Sequence, residues 1–379
     1  MDASSAIYDP KFGLGVPEFA SCILPISQSK ISLIHAGFEV LVVGEGVSNE
    51  DCGDFYSFSA CGENLGHKLS HRIVHVSCHR RECPVCYGDW AVRECASAGS
   101  RMISYRDLVR LSGRGAYRMS HWVFSPPVER IDSMADFKRI RSALNRVAVG
   151  VGVSGGFAVF HPLRVSDLGH EEYHACVREG YRGSLWEWVR ECDHLHDPRY
   201  VVEGPHFHVI GCGWSEASDI SYKRTGWVIK RIGSLENKDA VGRCLTYILG
   251  HSGYVCEDGH ATDTLTWFGG AGYRNMRCEH RFETYAVGCP ECGCAVYEHV
   301  GVVVLEDGSL DLKNAEPLGG IVYARIKVMR YWFGDLEGVC VLDEIGHRPP
   351  EATHFRKAPD HIPLKGGMGN YRLMCDPCL

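Results

Sequence analysis

Apolar and polar positions are patterned most sharply between residues 204 and 213. There Gly204-Pro205-His206-Phe207-His208-Val209-Ile210-Gly211-Cys212-Gly213 makes a short apolar run bounded by turn formers, which predicts a β-strand. A helical pattern follows at 240–251, where Val241, Cys244, Leu245, Ile248 and Leu249 recur three and four apart. Another helix is predicted from Asp136 to Val149, crossing one face of a sheet, and a basic helical connector at 98–117 with Arg101, Arg106, Arg110 and Arg114. Between about 165 and 200 the pattern reads as an inserted loop and helix, with Trp186, Trp188 and Val189 covering the sheet. Val302–Leu305 and Ile321–Met329 are expected strands, and Phe38–Val43 is the one apolar stretch of a Ser- and Gly-rich N-terminal segment, 1–50, that carries no assigned role. No apolar run reaches the roughly 18 residues that a membrane-spanning helix needs.

The two best patterns carry chemistry. Alternate side chains leave a strand on the same face, so His206 and His208 project together while Phe207 and Val209 point into a core. Two imidazoles on one rigid face make most of an open metal site. On the helix, Arg243, Tyr247 and His251 lie four apart along one polar stripe. A phenol with a cation one turn before it and an imidazole one turn after it combines a nucleophile with a charge stabiliser. Tyr254 lies seven residues on, but Gly250 and Gly253 end the helix before it.

Nineteen cysteines change the picture again. With no signal-peptide pattern the chain is expected to be cytoplasmic, where clustered cysteines are metal sites sooner than disulfides. Cys83-Pro-x-Cys86 is a tight knuckle that aims two thiolates at one point, and a tetrahedral Zn²⁺ needs two more ligands. Cys61 and Cys78 are the first choice, with Cys52, His67, His75 and His79 as alternatives. A second zinc site is expected from Cys278, His280, Cys289 and Cys292, with Cys375 and Cys378 able to supply missing ligands.

Three motifs, in order, resemble those of the His-hydrophobe-His (HUH) endonucleases, specifically the rolling-circle replication initiators of archaeal plasmids and viruses. They are His121-Trp122-Val123-Phe124-Ser125-Pro126-Pro127, Pro205-His206-Phe207-His208-Val209-Ile210 and Leu245-Thr246-Tyr247-Ile248-Leu249-Gly250-His251. Gly155 to Arg164 and Thr266-Trp267-Phe268-Gly269 add to the resemblance, which spans about 118–275 and extends to the cysteine-rich segment before it. The chain departs from the family where Lys usually follows the tyrosine by three: Gly250 stands there, with His251 next to it.

The resemblance implies an α+β fold: an HUH nuclease domain at 118–275 with a central, ferredoxin- or RRM-like antiparallel sheet of about five strands and helices on one face. A zinc-finger module at 51–97 and a zinc ribbon with its tail at 276–379 would flank it, joined by the connector at 98–117. It implies that Tyr247, assisted by His251 and Arg243, attacks a scissile phosphate at a replication origin, leaving a 5′-phosphotyrosine and a free 3′-hydroxyl. His206 and His208 would hold Mg²⁺ or Mn²⁺. His161, on a strand expected to pair with 205–210, is the leading third ligand and Glu203 the runner-up, though Glu203 should face away from His206. The expected partners are single-stranded or origin DNA and the host helicase and polymerase, with no membrane.

The net charge of −7 does not exclude a DNA partner, because binding depends on local basic clusters. Lys68, Arg72, Arg80 and Arg81 form one such island, Lys138, Arg139, Arg141 and Arg146 a second, and Lys223, Arg224, Lys230 and Arg231 a third. Trp122, Trp214 and Trp267 are candidate stacking surfaces or core aromatics. Two other readings stay open. A transposase or relaxase would share the metal pair and tyrosine, whereas a zinc-dependent DNA-binding regulator would use the cysteines and ignore His206, His208 and Tyr247.

Overall fold

The computed structural model describes residues 38–113, 117–128, 130–214, 218–258, 260–305, 309–333, 336–345 and 371–375. At 238–239, 280–285, 318–320, 323–328, 333, 336–345 and 371–375 the backbone alone is described. Arg114, Cys378 and the side chains of His280 and Cys375 therefore lie outside the described residues.

In chain order, β1 (Phe38–Val42), β2 (Phe55–Cys61) and β3 (Arg72–His75) precede a 26-residue helix, α1 (Tyr87–Ser112). Next come β4 (Met119–Ser125), α2 (Met134–Gly150), β5 (Val153–Val165), α3 (Asp167–Arg178), α4 (Leu185–Glu191) and β6 (Val201–Gly213). α5 (Ser218–Thr225), β7 (Val228–Ser234) and α6 (Lys238–Gly250) lead to β8 (Gly253–Glu257), β9 (His260–Ala261) and β10 (Leu265–Gly269). The C-terminal part is all strand: β11 (Met276–Ala286), β12 (Val296–Val300), β13 (Val303–Val304), β14 (Leu310–Asp311), β15 (Glu316–Ile321), β16 (Tyr323–Phe333), β17 (Leu336–Ile345) and β18 (Tyr371–Cys375).

The result is an α+β chain of antiparallel sheets. Its central sheet has five strands in the order β10-β5-β6-β4-β7, every neighbouring pair antiparallel. β6, the strand of His206 and His208, is the middle strand. It can lie so close to β5 because glycines face each other there: a Cβ on Gly156 would sit 2.2 Å from the Ile210 carbonyl oxygen.

Helices cover both faces of this sheet, not the one face expected. On the first face, α1 and α6 pack Met102, Leu108, Leu245 and Ile248 against Phe157, Val159, Ile210 and Cys212. On the second, α2 packs Phe137, Ile140 and Leu144 against Trp122, Phe160, Phe207 and Val209, with Phe38 of β1 and Val255 of β8 joining. The physical reason is visible in β4, β5 and β6, which carry large apolar side chains on both faces, Met119, Phe157, Val159 and Ile210 on the first and Trp122, Phe124, Phe160 and Phe207 on the second. The segment expected as a basic connector thus begins as the C-terminal half of α1, a core helix in which Arg101 itself is buried.

Local signals agree with these elements. Ser133 caps α2 by accepting from the Asp136 N–H, Asn237 caps α6 from Ala240, and Ser184 with Glu187 makes a capping box on α4. In α6 the buried Val241, Leu245, Ile248 and Leu249 contribute roughly 6–12 kcal/mol of burial between them. That outweighs the roughly 2 kcal/mol of helix propensity lost at Gly242 and Gly250.

The terminal regions do not form separate modules before and after the sheet, as the sequence suggested. β2 and β3 join β12 and β15 in one four-stranded sheet of order β15-β12-β2-β3. A further sheet, β11-β16-β17-β18, meets α1, where the Ser100 hydroxyl lies 2.8 Å from the Tyr331 hydroxyl. Among the described residues no helix is long and apolar enough to cross a membrane.

Candidate metal and tyrosine site

Five histidines meet on the first face of the central sheet. His206 and His208 stand on β6, His161 is the cross-strand partner of His206 on β5, and His121 lies on β4. His251 comes from the turn that ends α6. After that turn the chain passes between the two cores, tight against β5: a Cβ on Gly253 would lie 2.3 Å from Pro162 Cδ. That close approach holds His251 beside His161, with ring centroids 4.5 Å apart.

Donor nitrogens of His161, His208 and His251 lie within 4.8 Å of one another. His161 is 1 % exposed, and neither of its ring nitrogens has a hydrogen-bond partner. A buried imidazole left unpaired costs roughly 1–3 kcal/mol, so a ligand for it is needed. A cation bound by all three rings answers that need, and the residues fit one. Burial, and then the neighbouring imidazoles, hold His161 and His208 well below the usual histidine range, and burial does the same for His251. All three are therefore neutral at pH 7 and carry lone pairs a metal can take.

The trio differs from the expected ligand set. His251, expected to assist the tyrosine, stands among the donors, while His206 stands beside the trio, its ring 5.3 Å from that of His161. The reason is the partner each ring has already taken. His206 Nδ1 donates to the Gly204 carbonyl at 2.8 Å, turning the ring toward its own strand. His251 donates to the Tyr247 carbonyl, which leaves its other nitrogen for the cluster. Burial lowers His206 to about 4 as well. Glu203 is outside the group, 3.8 Å from Arg130, as its strand position predicted.

Two contributors had no part in the site in the sequence reading, which gave His121 only as a motif residue and Trp186 as a cover for the sheet. His121 Nε2 lies 2.7 Å from His208 Nδ1, and burial lowers it to about 4. It fixes which nitrogen of His208 is free for a metal, the orienting job of an outer partner. Its signal was its parity with His208 across the strand pair, readable only once the register is known. Trp186 of α4 stacks on His251 with centroids 4.8 Å and planes 15° apart, so part of the insertion roofs the site.

Tyr247 sits one helical turn before His251, 38 % exposed, with its ring 4.6 Å from the imidazole. Arg243 is exposed a turn earlier on the same helix. Tyr254 lies after the end of α6 on β8, 2 % exposed beneath the Arg81 guanidinium.

Seven of the cysteines fall into two groups with His67, the first differing from expectation by one ligand and the second by two, Cys61 and His67 standing where Cys278 and His280 were expected. Cys52 joins Cys78, Cys83 and Cys86, whereas Cys61 leaves them for His67, Cys289 and Cys292. Cys61 ends β2, which pairs with β12 and so faces the second knuckle, while Cys52 in the preceding loop reaches the first. Cys61 Sγ is 3.5 Å from Cys292 Sγ, and Cys289 Sγ is 3.6 Å from His67 Nδ1. Around a Zn²⁺ with bonds of roughly 2.0–2.3 Å the edge of the tetrahedron is about 3.5–3.8 Å, so both groups suit zinc. Burial pushes the Cys78 thiol up, but hydrogen bonds from Arg80 and neighbouring thiols overcome it and bring it to about 6. Burial likewise pushes the Cys289 thiol up, but hydrogen bonds from the N–H groups of Glu291 and Cys292 and from neighbouring thiols overcome it and bring it to about 6. Cys278 belongs to neither group; it is exposed on β11.

Of the candidate stacking aromatics, Trp122 is fully buried, Trp267 half-buried and Trp214 exposed under the Arg231 guanidinium. His194 stacks on Tyr200 and His196 pairs with Glu45, so neither joins a metal group among the described residues. Set against models of protein families, curated proteins and solved structures, the chain finds no match in any of the three.

Proposed function

We propose that the chain nicks and rejoins single-stranded DNA at a replication origin, as a rolling-circle initiator of the HUH type, with Tyr247 as nucleophile. One observation carries the reading: three neutral, buried imidazoles converge on one point, one of them with both nitrogens unpartnered, and a half-exposed tyrosine stands beside that point. A purely structural histidine has no reason to be buried with both nitrogens unpaired, as His161 is.

In this reading the Tyr247 Oη attacks the scissile phosphorus. The bond to the 3′-oxygen breaks, that oxygen leaves as a 3′-hydroxyl, and a 5′-phosphotyrosine remains. A divalent ion on His161, His208 and His251 would polarise a non-bridging phosphate oxygen and offset charge in the transition state. Because the donors are all imidazole, Mn²⁺ is favoured over Mg²⁺. The peptide carbonyl of Tyr247, bonded to His251, ties the helix that carries the nucleophile to the metal ligand itself. Trp186 shields His251 from water on its outer side. Arg243, one turn before the tyrosine, is placed to meet the DNA backbone.

The test is incubation with end-labelled single strands of the cognate origin and Mn²⁺, read on a denaturing gel. A protein adduct on the 5′ end of the downstream fragment, absent in Tyr247→Phe and with EDTA, is expected. Sequence-specific binding without any adduct would replace this reading with the zinc-dependent regulator.

A further inference from the structure

Arg164, near the end of β5, reaches across the histidine face of the central sheet. It is the cross-strand partner of Val202, which shares a face of β6 with Gly204 and His206. Its stem lies flat on Gly204, where a Cβ would meet its Cδ at 2.6 Å and its Nε at 2.9 Å. Any larger residue there would lift the arginine off the strand. Having crossed β6, one terminal nitrogen donates to the Ser125 hydroxyl of β4 at 2.7 Å. Ser125 follows Phe124, the partner of Phe207, so it stands opposite His206. Three strands thus fix one guanidinium at the rim of the cluster. Burial lowers His206 first and the Arg164 charge next, and the same charge reaches His208 after burial and the neighbouring imidazoles. Arg164, Ser125 and His208 are each half-buried, so the rim is open to a ligand.

The charges at this rim do not balance. Three neutral imidazoles leave the whole charge of a divalent ion uncompensated, and Arg164 adds another beside it. Arg164 pairs with no carboxylate among the described residues, and burial alone shifts its pKa, downward. Glu203, the cross-strand partner of Leu163, alternates to the opposite face of the sheet. Arg130 lies 3.8 Å from it and 2.7 Å from Asp132. Two cations facing one gap repel, and an anion between them replaces that repulsion with two attractions. A guanidinium is a flat fork that matches two oxygens of a phosphate. We propose that Arg164 is the phosphate-binding residue of this site, its guanidinium bonded to the non-bridging oxygens of the phosphodiester that faces the metal ion. The choice of a diester rests on the nuclease reading; the binding itself needs only the metal, the arginine and a phosphate.

The test uses the full-length, zinc-loaded Tyr247→Phe protein, which lacks the nucleophile, with Mn²⁺ and the dinucleotide dTpdT, whose single phosphate isolates the contact. Relaxation of water protons by protein-bound Mn²⁺ should change saturably with dTpdT and not with thymidine. Arg164→Gln should weaken dTpdT binding roughly ten- to a hundredfold, the worth of a charge-assisted hydrogen bond, with Mn²⁺ affinity unchanged or raised. Arg164→Lys should recover part of the loss, because an ammonium keeps the charge without the fork. Equal dTpdT affinity with and without the arginine would overturn the proposal, as would relaxation that dTpdT does not move. Loss of Mn²⁺ affinity in Arg164→Gln would also overturn it, making the arginine a prop for the metal ligands. The nuclease reading fails separately: if origin strands give no adduct with the wild type while dTpdT binds through Arg164, the phosphate site stands and the nicking reaction does not.

Discussion

His161 is the residue on which structure and chemistry disagree most unless a metal is bound. Its two unpaired nitrogens weaken the metal-free protein, so His161→Leu should abolish Mn²⁺ binding in calorimetry while raising the stability of the metal-free chain by about 1–3 kcal/mol in urea unfolding. A drop in stability instead would mean that His161 is satisfied without metal. His121 acts through His208, so His121→Phe should lower metal affinity roughly 10–100-fold without moving the fold, and His121→Gln should recover part of it. At this scale the sequence was legible in kind and not in number. His206, His208, His161 and His251 were all singled out, and all four gather in one place, because strand parity and helical spacing are local rules. Which three of them share a point depends on the turn at Gly253 and on the hydrogen bond to Gly204, and neither has a pattern to read.

Among elements, the junction of α6 and β8 decides the geometry. Gly253→Ala would drive a methyl into Pro162 and toward the Leu41 carbonyl, 3.1 Å away, so β8 must shift and carry His251 with it. The expected outcome is a loss of about 1–3 kcal/mol in stability and weaker Mn²⁺ binding, whereas Gly250→Ala, with open space around it, should leave metal affinity unchanged. Titration of the two variants side by side separates a packing effect at the turn from a general loss of glycine. The strand of His206 and His208 and the helix of Tyr247 were both evident from periodicity. The length of α1 was not, because its charged positions suggested a surface connector. The chain instead buries Arg101 against rings and carbonyls, which is a tertiary solution invisible to helical spacing.

For the whole molecule, the move of Cys61 from the first metal group to the second, with Cys52 taking its place, matters more than either group alone. Cys61 and His67 belong to the N-terminal part, Cys289 and Cys292 to the C-terminal part, and one ion would hold both. Hydrogen exchange should therefore show Cys292→Ser loosening β2 and β3 as well as β12; protection lost only around residues 289–300 would contradict a shared site. Knuckle spacing announced two zinc sites, but pairing between distant half-sites is a property of the β2–β12 contact and could not be read before it.

The first zinc knuckle also begins α1, and α1 covers the histidine face of the central sheet. A fragment cut to the span of the three motifs, 118–275, would lose this helix and β1 together, and would strip from the first face of the sheet the part of its cover that α1 supplies through Met102, Ile103 and Leu108. Such a fragment should aggregate instead of yielding a small working nuclease. On the proposed function, the nuclease could not be excised along the boundaries its motifs draw, and a graft onto another scaffold would have to carry both cysteine-rich ends along.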